Sequence, residues 1–489
     1  MRCSALFAAL GAALFMTPSS ALHAQEPTSS APQTQRAILP ADLLASSAER
    51  FPDILASIER EAIARGAELS AMGAFDLVLS AEGFSRTTGF WSGTVVETGA
   101  RQRLSNTGAE IYGAYRLSDG RFPIYEDEYF TNSLGELKVG ALYSLMRNST
   151  IDAERFGVQD TRLATRQATL DVLLTQLIVQ HRALDTYWRW VAAGREIEIY
   201  QNLLSLAVAR QVGIERQFRA GAIPEIALVE NEQNLIRRQT LLAEAERNFR
   251  IASNALSFYW RDANGQPMHP GLDLLPSDEQ LEALPEIEAV LLERPGDILE
   301  SRPELRSLRI AGERARNTIA LRENDLKPQL DLGVELSRDI GSIAEGGSSR
   351  DSTDLIVGFT FTVPLQRRAA EGRVAQAEAA LREVELREQR MGEELTIELE
   401  NALVELDAAL RIAALAGAEV AQANRMAQAE RRRLSLGAGD FFRINVREED
   451  AADAEIRAVR ASFAGRRAET RYDAASMRLD KLGLAEPPI

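Results

Sequence analysis

The chain repeats one pattern twice, and each copy contains a very long helical stretch that breaks at a glycine and then resumes. The first stretch runs from position 150 to about Arg219, and the second runs from about Arg368 to Leu436. With a rise of about 1.5 Å per residue, either stretch would measure roughly 100 Å. A compact globular domain has no room for helices of this length. The chain is therefore expected to build an elongated architecture.

The two breaks are related by an internal duplication. Glycine suits the left-handed residue that ends a helix, and Pro224 and Asp440 suit the start of the next helix. The breaks therefore predict tight helical hairpin tips at 219–224 and 435–440. Residues around the two tips match at a constant offset of 216 positions (437 minus 221), namely Arg216, Phe218, Gly221, Ala222, Leu228 and Glu232 against Arg432, Leu434, Gly437, Ala438, Ile444 and Glu448.

Apolar residues recur every seven positions along the helical stretches. Such spacing predicts left-handed, coiled-coil-like packing between long helices. The first stretch carries Leu163, Leu170, Leu177, Leu184 and Val191, and the helix after its break carries Leu228, Leu235, Leu242, Phe249 and Leu256.

Four shorter segments alternate apolar and polar side chains, as β-strands do because successive side chains point to opposite faces. In one of them Leu137 and Val139 fall on one face, whereas Lys138 falls on the other. Each segment has about the 9–11 residues of a tilted membrane strand. A half-buried sheet on a soluble domain would show the same alternation, so both interpretations stay open. The predicted strands lie at about 74–86, 135–146, 328–339 and 353–365.

These elements divide the chain into a leader, two repeats and a linker. Residues 1–24 have a positive start, an apolar stretch and a small-residue end, which predicts a signal peptide. We expect the first long helix to begin at a Ser149-Thr150 cap, with Asp152 in its first turn. The remaining predicted boundaries are 25–260 for the first repeat with its helical hairpin at 150–260, 261–300 for a linker or equatorial segment, and 301–484 for the second repeat with its hairpin at 368–484.

The composition excludes several classes of function. Acidic residues outnumber basic ones, 72 against 56, which argues against a nucleic-acid partner because phosphates bind clustered basic surface. The single cysteine, Cys3, lies in the predicted signal peptide, so disulfides and cysteine-ligated metals are not expected. The chain has no nucleophile elbow, phosphate-binding loop or metal-ligand spacing. We therefore expect no enzyme activity, no cofactor and no metal site.

Several short motifs follow one another along the chain. Besides the two glycine tips, these motifs are Arg302–Leu305, Leu326–Leu332, Gly358–Leu365 and Leu482–Leu484. By the order of these motifs, together with the duplication and the signal peptide, the chain resembles the TolC family of outer-membrane efflux proteins over roughly residues 40–484.

The resemblance implies an α+β membrane protein. Long antiparallel α-helical hairpins would form an α-barrel, and each chain would add four transmembrane β-strands. Because the smallest membrane barrels need about eight strands, a homotrimer would complete a 12-stranded β-barrel. The first repeat also carries an insert at 87–134 between its two strands, which has no counterpart in the second repeat. We interpret this insert as an enlarged extracellular loop or an extension of the strands.

The resemblance also implies a function and a location. The chain would be the outer-membrane channel subunit of a tripartite efflux or type I export system, a passive conduit across the periplasm and outer membrane of a Gram-negative bacterium. Its partners would be a periplasmic adaptor (membrane fusion) protein, an inner-membrane pump and outer-membrane lipid. The alternative is a periplasmic coiled-coil adaptor or scaffold protein without a channel.

In this family the hairpin tips form the periplasmic entrance and meet the adaptor. Known members close that entrance with a tyrosine, an arginine and aspartates, whereas the aligned positions here are Leu434, Gly439, Ala227 and Arg443, so that lock is not carried over. Phe441 and Phe442, with Arg443, could form a constriction instead, or the two rings could pack between helices. The residues assigned to the tips and the adaptor contact are Phe218, Gly221, Ala222, Pro224, Leu434, Gly437, Gly439 and Asp440.

Overall fold

The computed structural model describes residues 36–281, 283–285, 295–343 and 352–486. The predicted signal peptide at 1–24 lies outside these residues, as do parts of the 261–300 linker. The described chain forms one antiparallel sheet and a set of helices. All four connections between strands and long helical segments leave the sheet at the same end, so the helices extend from that end.

Two helices dominate the fold, one in each repeat, and each is followed by a tight turn and a return helix. No helix in the described part of the chain combines the length and the apolar character needed to cross a bilayer. In chain order the helices are α1 (Pro40–Arg50), α2 (Pro52–Met72), α3 (Ala153–Arg219), α4 (Glu225–Ser257), α5 (Pro295–Ser301), α6 (Pro303–Asn324), α7 (Arg368–Ser435) and α8 (Phe441–Ala475).

The first long helix begins later than the sequence predicts. Asp152 is the N-cap of α3, and its carboxylate accepts a hydrogen bond from the backbone N–H of Arg155 at 2.7 Å. The hydroxyl of Ser149 instead donates to the carbonyl of Met146 at 2.7 Å. The prediction of a Ser149-Thr150 cap was therefore wrong, because that hydroxyl is used in the preceding turn and the carboxylate binds the free N–H.

The main hydrophobic core lies midway along α3, where the helix meets the N-terminal segment and the two return helices. Tyr187 and Trp190 are fully buried. The Tyr187 hydroxyl donates to the carbonyl of Ile38 at 2.8 Å, and the Trp188 indole N–H donates to the hydroxyl of Thr470 at 3.3 Å. Tyr187 and Trp188 thus satisfy their polar atoms within the chain, as buried tyrosine and tryptophan usually do, whereas the indole N–H of Trp190 is buried without a hydrogen-bond partner.

The sheet has six strands, each antiparallel to its neighbour, in the order in which they occur in the chain. The strands are β1 (Val78–Ser85), β2 (Gly93–Arg103), β3 (Ala109–Gly120), β4 (Glu136–Ser144), β5 (Gln329–Asp339) and β6 (Thr353–Thr362). Four of them, β1, β4, β5 and β6, lie where the alternation predicts strands.

The expectation of four strands per chain was wrong, because the 87–134 insert folds into β2 and β3. The interpretation of the insert as a loop or an extension of the flanking strands is therefore wrong for the residues of β2 and β3, whereas 121–134 connects β3 to β4 without forming a strand. Small residues blur the alternation here, since Gly99 and Ala114 fall on the polar face and Gly113 on the apolar face. The neighbouring strands β1 and β4 supply the hydrogen-bonding edges that convert this weak pattern into a hairpin.

Candidate functional site at the hairpin tips

Both tips fold as tight turns with the same hydrogen bonds. Gly221 has φ of 70°, and the N–H of Ala222 donates to the carbonyl of Gln217 at 2.8 Å. Gly437 has φ of 74°, and the N–H of the next residue donates to the carbonyl of Arg433 at 2.9 Å. These bonds satisfy carbonyls at the helix end and require a left-handed residue, which glycine adopts without steric cost. The duplicated glycines therefore produce duplicated tips.

The return sides of the two tips differ. A Cβ atom at Gly439 would lie 2.6 Å from the backbone N and Cα of Leu434, so the second tip closes only around a glycine. Asp440 then caps α8, since its Oδ1 accepts the N–H of Phe442 at 3.1 Å. Helix α4 instead begins after Pro224, without a side-chain cap. The two tips thus share a backbone conformation but differ in the residues that begin the return helix.

Large apolar side chains are exposed at both tips. The exposed fraction is 37% for Phe218 and 59% for Ile226 at the first tip, and 83% for Leu436 and 64% for Phe442 at the second. Grouped apolar side chains on a surface indicate a contact with another protein. The residues that the sequence assigns to the tips are all exposed or half-buried, namely Phe218, Gly221, Ala222, Pro224, Leu434, Gly437, Gly439 and Asp440.

The three residues considered for a constriction open the return helix α8. Phe442 and Arg443 are exposed, and Phe441 is half-buried. Phe442 is too exposed to pack between helices of its own chain. A constriction would need the same residues from other copies of the chain, so that role stays a prediction.

A buried carboxylate joins the four long helices about two turns beyond the second tip. Glu448 of α8 places Oε1 2.6 Å from Arg210 Nη2 on α3 and 3.0 Å from Arg431 Nε on α7. Its Oε2 lies 3.5 Å from Arg238 Nη2 on α4. The side chain of Glu448 is 2% exposed, and that of Arg238 is 0% exposed. We call Glu448, Arg210, Arg238 and Arg431 the tip-proximal charge cluster, and it ties the first hairpin to the second.

The surroundings of Glu448 stabilise its ionised form. Burial alone would raise the pKa of Glu448, but the hydrogen bonds and positive charges of Arg210 and Arg431 outweigh it and hold that pKa below its ordinary value. Burial lowers the pKa of Arg238, which the negative charge of Glu448 opposes. Arg238 also donates to the carbonyl of Leu203 at 2.7 Å. The cluster is therefore a desolvated ion pair that polar backbone supports.

Sequence reasoning does not identify this charge cluster. Arginines mixed with glutamates along a helix usually indicate a solvated face. Glu448 stands out only as the counterpart of Glu232, which is exposed. The counterpart of Arg210 is Met426, so the Arg210–Glu448 pair, which joins the two repeats, has no duplicate between Met426 and Glu232. This departure from the duplication is the only feature of the sequence that points to the charge cluster.

A polar cleft of about 760 Å³ lies between α3, α7 and α8, near the middle of the molecule. His181 lines it together with Arg182, Glu405 and Arg471. Burial lowers the pKa of His181, so its imidazole is neutral at pH 7. Among the residues that the structure describes, no group of histidine, cysteine, aspartate and glutamate is arranged to hold a metal ion.

A second buried carboxyl group lies near the C-terminal end of α8. Asp473 lines a cavity of about 580 Å³ beneath the start of α1. Burial, reinforced by the negative charge of Glu469, raises the pKa of Asp473 to about 7, while Arg478 and Lys481 oppose the shift. Since this folded-state pKa exceeds the unfolded value of about 3.9, the group stabilises the fold at low pH, and that contribution is lost as the pH rises through about 7.

Asp473→Asn is expected to remove this pH dependence. Between pH 5 and pH 8 the wild-type chain should lose on the order of 2 kcal/mol of stability through Asp473, whereas the amide does not ionise. Thermal unfolding at both pH values measures the difference. Asp453→Asn, at an exposed position of the same helix, is the control and should leave the wild-type pH dependence in place. An equal pH dependence in Asp473→Asn and wild type would contradict the assignment.

Residues 295–482 match the family model of the outer membrane efflux proteins. This part of the chain belongs to that family. It extends from α5 past the end of α8, and so it contains nearly all of the second repeat. The resemblance to TolC-type efflux proteins that the sequence predicts is thereby confirmed. No curated protein matches this chain at a significant level.

Solved outer-membrane channels share the fold of most of the chain. The Campylobacter jejuni CmeC channel matches with a TM-score of 0.60 and 15% identity, over 94% of this chain and 94% of that one. Vibrio cholerae VceC matches with a TM-score of 0.60 and 15% identity, over 89% and 95%. The open state of Neisseria gonorrhoeae MtrE matches with a TM-score of 0.59 and 14% identity, over 96% and 97%. The predicted α+β class, with long helical hairpins beside an antiparallel sheet, agrees with these folds.

Proposed function

We propose that this chain is the outer-membrane channel subunit of a tripartite efflux or type I export system, and that it acts as a passive conduit without reaction chemistry. The observation that carries the proposal is the combination of an efflux-family repeat with a channel fold over nearly the whole chain. The two faces of the sheet, its open edges and the exposed tips each support it.

The sheet has one apolar and one polar face, as a wall between lipid and water requires. Leu79, Val139, Val357 and Phe359 are exposed on the apolar face, where lipid would cover them. On the polar face, carboxylates outnumber basic groups in the described strands. These are Glu82, Glu97, Glu110, Glu136, Asp331, Glu335, Asp339 and Asp354 against Arg101, Arg103, Arg116 and Lys138.

The two edge strands of the sheet are open to pairing with further copies of the chain. Strands β1 and β6 end the sheet with unpaired edges, and every residue of both strands is exposed. Free edges of this length require a partner strand. The helices also expose apolar side chains that another copy would bury. These are Ile226, Val229, Ile236 and Ile251 on α4 and Leu386, Ile397, Val404, Ile412 and Leu415 on α7. We infer a homotrimer in which β6 of one copy pairs with β1 of the next.

The tips would provide the contact with a periplasmic adaptor, which would couple the conduit to an inner-membrane pump. Exposed Phe218, Leu436 and Phe442 suit such a contact because buried aromatic and apolar anchors dominate protein interfaces. A periplasmic scaffold without a channel, the alternative, would use the same tips and long helices. Such a scaffold does not need a six-stranded sheet with an exposed apolar face, so the sheet favours the channel.

Membrane fractionation and planar-bilayer recordings test the proposed function together. The chain should be found in the outer membrane as heat-sensitive trimers. The purified trimers should conduct ions and prefer cations, because acidic groups dominate the polar face of the sheet. A monomer that fractionates with the soluble periplasm would show the channel proposal to be wrong. Reversal potentials in a salt gradient measure the preference, and anion preference would contradict the proposed lining.

A further inference from the structure

The β2–β3 hairpin lies inside the sheet, between the two strands that the first repeat would otherwise pair directly. Ala100 of β2 lies beside Leu79 of β1 and beside Gly113 of β3, and Gly113 lies beside Val139 of β4. The hairpin therefore crosses the same height of the sheet as its neighbours. It returns to the end of the sheet from which the helices extend.

The hairpin follows the division of the sheet into two faces. Val96, Ile111 and Leu117 are exposed on the apolar face, in line with those of β1 and β4. Glu97 and Arg116 lie opposite each other on the polar face. A strand with this alternation suits a wall with lipid on one side and water on the other.

Polar contacts fix the hairpin to the sheet. Arg116 pairs with Glu136 of β4, and its Nη1 lies 3.7 Å from Glu97 Oε2 on β2. The hydroxyl of Tyr112 reaches across β4 and donates to Glu335 Oε2 of β5 at 2.7 Å. Only a glycine at position 140 of β4 leaves space for the Tyr112 ring, because a Cβ atom there would overlap it. The hairpin is thus part of the wall and not a flap over it.

The turn of the hairpin is anchored where the sheet meets the helices. Arg103, at the end of β2, forms an ion pair with Glu154 in the first turn of α3. Gly108 in the turn has φ of 63°, and a Cβ atom there would lie 2.7 Å from the carbonyl oxygen of Asn148. Arg155 donates to the same carbonyl at 2.6 Å. The turn is therefore held in place by contacts with residues at the sheet–helix junction.

We propose that this hairpin widens the outer-membrane aperture, so that a trimer closes its sheet with eighteen strands (six per chain) where β1, β4, β5 and β6 alone would give twelve. This inference rests on the proposed function. Since the diameter of a closed sheet grows roughly linearly with strand number, the aperture is about 1.5 times as wide. The added strands bring charged side chains to the polar face, so the wider aperture admits hydrophilic solutes of larger cross-section.

Deleting residues 86–134 tests the proposal in the otherwise full-length chain. The deletion joins Ser85 to Gly135 and leaves Gly135-Glu136 as a two-residue turn, with glycine first as a type II′ turn prefers. Ser85 would then lie opposite Leu137, and Gly83 opposite Val139, so apolar residues stay on one face. The measurement is the exclusion size of neutral polyethylene glycols, added to the external side of single trimers in planar bilayers.

The excluded polymer radius should fall by about one third in the deletion variant. Glu97→Gln, which changes the lining charge but not the strand number, is the matched control and should keep the wild-type cut-off. Electron microscopy of the wild-type trimer provides a second measurement that does not depend on folding of the variant, and eighteen strands are expected. A conducting trimer with a twelve-stranded wall, or an unchanged cut-off, would overturn this inference alone, whereas absence of trimers and conductance would overturn the proposed function.

Discussion

Glu448→Gln should lower the free energy of unfolding by about 3–5 kcal/mol, the usual cost of removing one partner from a buried ion pair. The amide keeps the size of the side chain but leaves the charges of Arg210 and Arg238 without a counterion in a desolvated site. Arg431 is 44% exposed and can turn to solvent, so the other two arginines account for most of the cost. Chemical denaturation of the purified protein, followed by circular dichroism, measures the loss.

The duplication provides the matched control for this substitution. Glu232 is the first-repeat counterpart of Glu448, occupies the same position relative to its tip, and is exposed. Glu232→Gln should change stability by less than about 0.5 kcal/mol, as surface substitutions do. Equal effects of the two variants would show that the charge cluster does not hold the hairpins together.

Gly439→Ala should open the second tip and abolish export while leaving the sheet and the long helices intact. The added methyl group would lie 2.6 Å from the backbone of Leu434, so the end of α7 or the start of α8 must move. A displaced tip cannot present Leu436 and Phe442 in their native positions. We expect faster trypsin cleavage at Arg433 and Arg443, and an adaptor capture reduced at least about tenfold, equivalent to about 1.4 kcal/mol.

A glycine elsewhere in the long helices distinguishes this effect from a general response to an added methyl group. Gly213 lies in α3, and nothing would come within 4 Å of a Cβ atom there. Gly213→Ala should preserve export and can gain up to about 1 kcal/mol of helix stability. Normal export in Gly439→Ala would mean that the shape of the second tip is not required, and the assignment of the tips to adaptor contact would lose its basis.

The features that the sequence predicts correctly are those with a local cause. Helix α7 was predicted from 368 to about 436 and is observed at Arg368–Ser435, because helix periodicity and a glycine stop are both readable within a few turns. The tips at Gly221 and Gly437 follow from the left-handed conformation that ends a helix. The efflux-family resemblance was likewise carried by short motifs in the second repeat, where the family model matches.

The features that it misses depend on distant neighbours. The alternation of apolar and polar residues in the β2–β3 hairpin is weak. Pairing with β1 and β4, together with the ion pair between Arg103 and Glu154, determines that the hairpin joins the sheet. The placement of Phe442 at the surface also required the packed hairpin, since an aromatic residue at a helix start is equally compatible with burial.

By itself, the sequence determined the duplication, the two long hairpins, their glycine tips and four of the six strands, because each is encoded by a repeating local pattern. Tertiary structure alone decided that the insert adds two strands and that Glu448 is buried among three arginines. Arg210, Arg238, Arg431 and Glu448 lie on four different helices and meet only when the two hairpins pack side by side. Burial then converts an ordinary helix-surface carboxylate into a desolvated ion pair, a property that no residue carries before its neighbours are in place.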